Sequence, residues 1–440
     1  MLLPRDSAQP RSLLIQSIVV VALLFSMSYS AFTQSTDAVE RRLHDVQAII
    51  NGEKVVMEDV FDASFLAAVS PAQLTAGVQQ LTAMTGRCEE IHISSRASEY
   101  SVKAAATTSG NYSIPISLTV SAEPPFKIIG LFLQSPVKLA SSLSEVEEEL
   151  TSFEGQTSIY VLDVTKNTVL SAKDTARSFP IGSTFKLFIL GDLVHSINQR
   201  KHRWDEVVAL NRIFYSHPSG FLQTWPNGSP ITVHTLASLM ISQSDNTATD
   251  HLLHLLGRES VEQIQFAMGN THSSANIPFL STLEMFKLKY TGNGAPARIY
   301  ANAEIESKRE QLAALDGISR DSIVFTEKPV LADQVEWFAS TPDACRAMLY
   351  LKDASNKGQH QVMDILGINR GLDIDKDRWP VVGFKGGSET GVLNFTYYLQ
   401  RKDGREFVLS ASWLNTERDV KLEDFTALVS GAIRVLAAMP

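Results

Sequence analysis

Phe179-Pro180-Ile181-Gly182-Ser183-Thr184-Phe185-Lys186-Leu187-Phe188-Ile189-Leu190 is the stretch on which the fold of this 440-residue chain turns. Pro180 and Gly182 form a turn, and the apolar run after it reads as a buried helix. Ser183 falls in the first turn and Lys186 three positions on, so hydroxyl and amine share one helix face. A serine alcohol is a weak nucleophile until a base takes its proton. A lysine in an apolar wall is poorly hydrated as a cation, so its pKa falls and it can be that base. The helix N-terminus adds unpaired N–H groups and a positive dipole end where an oxyanion would form. The plainer alternative is an N-cap serine followed by a surface lysine.

Two later stretches weigh against that alternative. Ser242-Gln243-Ser244-Asp245-Asn246 is a polar turn between two apolar helical runs. Ser244 could relay a proton to a leaving group, and Asn246 could hold Lys186 and an acyl amide. Either Ser244 or Asp245 could equally be a helix cap. Phe384-Lys385-Gly386-Gly387-Ser388 closes a predicted strand. Gly386 and Gly387 would admit a substrate backbone or acyl group to the strand edge. The Ser388 N–H could be a second oxyanion donor. Lys385 would supply positive potential and keep Lys186 neutral by repulsion. A glycine turn with a surface lysine is the bland alternative. The candidate catalytic residues are thus Ser183, Lys186, Ser244 and Lys385; the candidate substrate-binding residues are Asn246, Gly386, Gly387 and Ser388.

Composition limits what else the chain can be. Its hydrophobic content of 44% and charged content of 20% are those of a globular protein. A net charge of −9 argues against a nucleic-acid partner. The two cysteines, Cys88 and Cys345, are read as buried free thiols. No zinc-type spacing and no glycine-rich phosphate loop appears, so neither metal nor cofactor is expected. Arg5 and Arg11 precede the apolar run Leu13 to Phe25, and the small residues Ser28, Ser30 and Ala31 follow. This is the pattern of a signal peptide over residues 1–31, which predicts a secreted or periplasmic protein; an uncleaved membrane anchor is the alternative. No other membrane partner is expected.

Two domains are expected after the leader. Residues 37–136 read as a small α+β unit. Helical spacing over Asp37 to Asn51, a short helix near Phe65 and a helix opened by Ser70-Pro71 come first. Strand-like runs over Glu90 to Ala104, Ile114 to Ala122 and Lys127 to Gln134 follow. Residues 137–440 read as a mixed α+β domain, an antiparallel sheet beside an all-helical lobe. Its order is a helix over Val137 to Phe153, two strands, a helical block, three strands and a closing helix over Val420 to Ala438. Pro296 to Leu315 reads as a peripheral helical insertion.

Ser-x-x-Lys, Ser-Asp-Asn and Lys-(Thr/Ser)-Gly, in that order, form the signature of class A β-lactamases and penicillin-binding proteins. Ser183-Thr184-Phe185-Lys186, Ser244-Asp245-Asn246 and Lys385-Gly386-Gly387 resemble it, each in the expected slot of helix start, lobe turn and sheet edge. From about Val137 to Pro440 the chain resembles class A β-lactamase-like serine hydrolases. Leu222-Gln223-Thr224-Trp225-Pro226, Glu336-Trp337-Phe338-Ala339-Ser340 and Gly386 to Asn394 resemble one two-domain branch, which includes a protein encoded with clavulanic-acid biosynthesis genes. Phe61 to Val69 is similar to that branch's N-terminal domain, which implies a ketosteroid-isomerase-like cone. Two departures stand out. No Glu-x-x-x-Asn element, which would activate the deacylating water, lies between Asn246 and Lys385; Glu284, Glu304 and Glu336 fall in the interval without that pattern. Gly386 replaces the hydroxyl residue that binds a β-lactam carboxylate, a loss of roughly 1.5–3 kcal/mol.

The resemblance implies an acyl-enzyme mechanism on a small-molecule ester or amide, β-lactams included, with weak β-lactamase or esterase activity. The alternatives are a peptidoglycan D,D-peptidase and a protein that traps acyl ligands without turnover. The N-terminal domain holds no convincing acid/base pair and is read as a scaffold.

Overall fold

The computed structural model describes residues 38–440, so the predicted leader over 1–31 lies outside the described residues. The chain divides into two compact units, the first ending at Leu139 and the second running from Ala140 to Pro440.

The first unit opens with helix α1 over 38–50. Helix α2, Pro71–Thr85, starts as its sequence demands: the Ser70 side chain accepts from Gln73 N, and the Gln73 side chain accepts from Ser70 N. Four antiparallel strands follow in sequence order: β1 (Cys88–Ser98), β2 (Ser101–Thr108), β3 (Tyr112–Val120) and β4 (Ile128–Leu133). The run expected as one strand over Glu90 to Ala104 is a hairpin, turning at Glu99-Tyr100. That turn carries neither Gly nor Pro, so no residue type marks it in the sequence. Val102, Ala104 and Ala106 of β2 and Ile114, Ile116 and Leu118 of β3 alternate inward and pack on Val39, Leu43 and Val46 of α1. Cys88 and Cys345 are both buried free thiols.

The second unit is built on one five-stranded antiparallel sheet. Its strands are β5 (Gln156–Asp163), β6 (Thr168–Lys173), β7 (Val381–Glu389), β8 (Val392–Gln400) and β9 (Glu406–Leu414), in the order β7-β8-β9-β5-β6. Helix α3 (Leu143–Ser152) and the last helix (Leu422–Ala438) cover one face, through Val146, Leu150, Phe425 and Leu428 against Phe395, Leu409 and Ala411. The helical lobe covers the other face, so β8 is buried over all but its last residue. Helix α3 starts at Leu143 instead of Val137: Ser142 caps it, and Val137–Lys138 pairs with Tyr112 and Ser113 of β3. The segment expected to be peripheral forms helices Ala295–Ala301 and Ile305–Ala314, which bury Ala297, Tyr300 and Leu312 in the lobe core.

Helix α4 (Lys186–Asn198) runs through the middle of this unit. Leu187, Phe188, Ile189, Leu190 and Leu193 are all essentially inaccessible. Each such side chain contributes about 1.5–3 kcal/mol on burial. Their sum exceeds the roughly 5 kcal/mol needed to carry one lysine into the interior in neutral form at pH 7. That balance is why an amine can sit at the start of a wholly buried helix.

Candidate active site

A one-turn 3₁₀ segment, Gly182–Phe185, holds Ser183 just before α4. Gly182 has φ +47°, a conformation that costs a side-chain-bearing residue. A Cβ there would lie 2.9 Å from Ser388 N, and a Cβ on Gly387 would lie 1.9 Å from Ile181 O and 2.8 Å from Ser183 N. The end of β7 and the serine turn thus touch backbone to backbone. Gly387 therefore makes room for the chain's own Ser183 turn, not for a substrate as its position suggested. Gly386 does not face the site either: its Cβ would meet the Phe384 ring at 2.8 Å and the Phe395 ring at 3.3 Å. Both rings belong to the core layer behind the sheet. Ser183 and Ser388, by contrast, line a common cavity of about 360 Å³.

Lys186 is fully buried. Its Nζ donates to Ser244 O at 2.6 Å and Asn246 Oδ1 at 2.7 Å, and lies 3.1 Å from Ser244 Oγ. Burial first, and then the charge on Lys385, hold this amine well below the usual lysine range; Asp250 and Asp245 pull the other way. A neutral amine has two hydrogens and a lone pair. The two acceptor-only oxygens take the hydrogens, so the Ser244 hydroxyl can donate to the lone pair. Lys385 Nζ reaches Ser244 Oγ from the other side at 3.2 Å and also donates to Gly386 O. Burial brings Lys385 down to about 7. Ser244 therefore bridges two amines, one neutral and one carrying charge at neutral pH and below. No hydrogen bond joins Lys186 to Ser183 Oγ among the described residues; catalytic contacts commonly tighten only when substrate binds.

The Ser-Asp-Asn turn divides its labour. Asp245 is the cap expected of it: its carboxylate accepts from Ala248 N, Phe221 N and Leu222 N. Ser244 sits at φ +53°, and this left-handed kink separates its side chain from the capping role. Asn246, the first residue of helix α5 (Asn246–Leu256), is anchored by its amide donating to His217 O, which fixes Oδ1 on Lys186.

Sequence reasoning missed a buried polar group on the cavity wall. Glu389 Oε2 accepts from Lys289 Nζ at 2.6 Å, and its Oε1 accepts from Tyr290 OH at 2.7 Å. Glu336 lies beside them, wholly buried, with Oε2 accepting from Trp337 N and Oε1 3.7 Å from Lys289 Nζ. Burial, and then the Glu389 charge, push Glu336 far above the carboxylate range, whereas Lys289, Glu336 and Tyr290 together hold Glu389 below it against its own burial. Glu336 therefore keeps its proton and Glu389 its charge. The sequence signal was Lys289 itself, a lysine between Leu288 and Tyr290 in an otherwise buried helix, Thr282–Tyr290. Of the other glutamates noted from sequence, Glu284 caps that helix and pairs with Arg258, and Glu304 is exposed before helix Ile305–Ala314. No cluster of metal-ligating side chains occurs among the described residues.

Residues 138–329 match the model of the β-lactamase enzyme family, a span that contains Ser183, Lys186, Ser244 and Asn246. This stretch of the second unit is similar to the β-lactamase enzyme family. Lys385, Glu389 and the last three sheet strands of this β-lactamase-like domain lie beyond the matched span. Among solved structures, the chain is similar to a β-lactamase from Sphaerobacter thermophilus (18% identity, 67% of this chain and 94% of that one, TM-score 0.47). It is also similar to a class A β-lactamase from Mycobacterium abscessus (15%, 67% and 99%, TM-score 0.48) and to PBP-A (15%, 68% and 99%, TM-score 0.46). No curated protein sequence matches the chain.

Proposed function

We propose that the second unit is an exported serine hydrolase that forms an acyl-enzyme on Ser183 with an ester or amide, and that acts as an esterase or weak β-lactamase. Ser183 Oγ bonds to the carbonyl carbon while its proton passes to Lys186 Nζ. The N–H groups of Ser183 and Ser388 take the developing oxyanion. The proton leaves through Ser244, beside Lys385, to the departing alcohol or amine. Water then displaces Ser183 and frees the acid.

The observation that supports this most is the Lys186 amine, buried, held off its charged form and one turn from Ser183. Export rests on the leader pattern Arg5 to Ala31 alone. A second reading, acyl trapping with little turnover, draws on Glu336 and Glu389. Glu389 is held by Lys289 and Tyr290, and Glu336 is kept in its protonated form, so neither is an ionised carboxylate free to activate water.

Ser183→Ala, assayed with p-nitrophenyl esters and β-lactams and followed by mass spectrometry, tests both. Loss of ester turnover together with loss of the Ser183 adduct supports the hydrolase. An adduct that persists in the parent protein without ester release supports trapping. Turnover unchanged by Ser183→Ala excludes Ser183 as the nucleophile.

A further inference from the structure

The cavity lined by Ser183 has neither Lys186 nor Lys385 in its walls. Phe185, Met285, Phe286, Tyr290, Phe325 and Trp337 furnish its apolar lining. The arrangement is rigid: Trp337 stacks on Phe185 with centroids 3.6 Å apart, and Phe325 meets Phe286 edge-on at 5.4 Å. Phe325 and Leu422 also line it while remaining 45% and 50% exposed, so apolar surface continues to its mouth. Its charged lining residues, among those described, are Glu336, Glu389 and Asp419. Lys289 neutralises Glu389, Glu336 holds its proton, and Asp419 is left as a negative charge at an exposed position. Ser244 and Lys385, the route for the leaving-group proton, are not among its lining residues.

Resting on the acyl-enzyme reading above, we propose that this cavity is the acyl pocket and that it selects an uncharged aromatic acyl group against an anionic one. A leaving group must face Ser244 to receive its proton, so the group on the other side of the carbonyl carbon enters the cavity. Aromatic walls and a volume of about 360 Å³ suit a ring on a short linker. A carboxylate on that ring would lose hydration, and the charged side chains lining the cavity are all acidic, so none would pair with it. The sheet edge offers such a group no replacement anchor, since position 386 is a glycine turned toward Phe384 and Phe395.

The test holds the leaving group constant: p-nitrophenyl acetate, p-nitrophenyl phenylacetate and its ring-carboxylated analogue. The phenylacetate is expected to exceed both others in kcat/KM by about tenfold or more. Phe325→Ala, at a position 45% exposed, should lower kcat/KM for the phenylacetate about fivefold more than for the acetate. Asp419→Asn, which keeps the side-chain oxygen that accepts from Gly391 N and Val420 N, should favour the carboxylated ester by about two- to fivefold. Equal kcat/KM for the neutral and carboxylated rings, or a Phe325→Ala effect as large on acetate, overturns the pocket assignment while Ser183-dependent turnover stands. Hydrolysis that survives Ser183→Ala overturns the acyl-enzyme reading, and the pocket with it.

Discussion

Lys186 and Lys385 aim their amines at one oxygen: Ser244 Oγ lies 3.1 Å from the first and 3.2 Å from the second. Two cations cannot share a buried hydroxyl at low cost, so one amine gives up its proton, and the more deeply committed Lys186 is the one held far down. Acylation needs Lys186 neutral and Lys385 charged. The kcat/KM profile for an ester should therefore rise on the acid side as Lys186 loses its proton, and fall above about 7 as Lys385 loses its own. In Lys385→Gln the repulsion is gone and Asp250 and Asp245 still favour the Lys186 cation, so the acid limb should move to higher pH. A stopped-flow pH series of both proteins decides this; an acid limb that stays in place would show that the two amines are not coupled.

The same burial makes stability depend on pH in a direction that can be stated. Lys385 has its proton in the unfolded chain up to about 10.5 but loses it at about 7 when folded. Between those values the unfolded state binds more protons, so stability rises with pH, by at most about 1.4 kcal/mol per unit for this group. Asp250, raised to about 7, titrates at the low end of the window in both proteins alike, and Cys88, raised to about 11, above it. Urea melts from pH 7 to 8.5 should show the slope reduced in Lys385→Met. An identical slope in both proteins contradicts the burial of a neutralised Lys385.

Glu336, Glu389, Lys289 and Tyr290 form a group in which one member carries the proton and two carry opposite charges. Lys289→Met removes the partner of a buried carboxylate and should cost about 3–5 kcal/mol. Glu336→Gln should cost less than about 1 kcal/mol, because an amide N–H can donate to Glu389 as the protonated acid does. Equilibrium unfolding of the two variants separates the roles. If Glu336→Gln is as damaging as Lys289→Met, then Glu336 is ionised and the proton assignment fails.

The sequence told most about parts whose chemistry is local. Ser183, Lys186, Ser244, Asn246 and Lys385 could be picked out because each sits in a short polar interruption of an apolar pattern, and the structure gathers them at one place. The three closing strands and the helix after them could be read from period alone, and the structure has them in that order. What could not be read was set by contacts between distant segments. The Glu336–Glu389 pairing joins a loop to the end of β7 through Lys289. The facing of Gly386 follows from which side of β7 Phe395 packs on, and a strand pattern broken by two glycines carries no sign of that. The start of α3 at Leu143 depends on Val137–Lys138 being recruited by β3.

Gly386 and Gly387 give the sharpest contrast between neighbours. At Gly387 an added methyl would lie 1.9 Å from a carbonyl oxygen of the serine turn, and backbone cannot yield as a flexible side chain does. Gly387→Ala should push Ser183 off its oxyanion donors and lower kcat/KM at least about a hundredfold, with a stability loss of about 1–3 kcal/mol. At Gly386 the methyl meets only aromatic rings at 2.8 and 3.3 Å, which can tilt. Gly386→Thr restores in sequence the residue type that the β-lactamase signature has there, yet its hydroxyl would point toward Phe384 and not into the cleft. It should therefore leave β-lactam turnover within about twofold of the parent while costing about 1–3 kcal/mol. A large gain in β-lactam hydrolysis from Gly386→Thr would mean that position 386 faces the substrate after all, and would reverse the assignment of the two glycines.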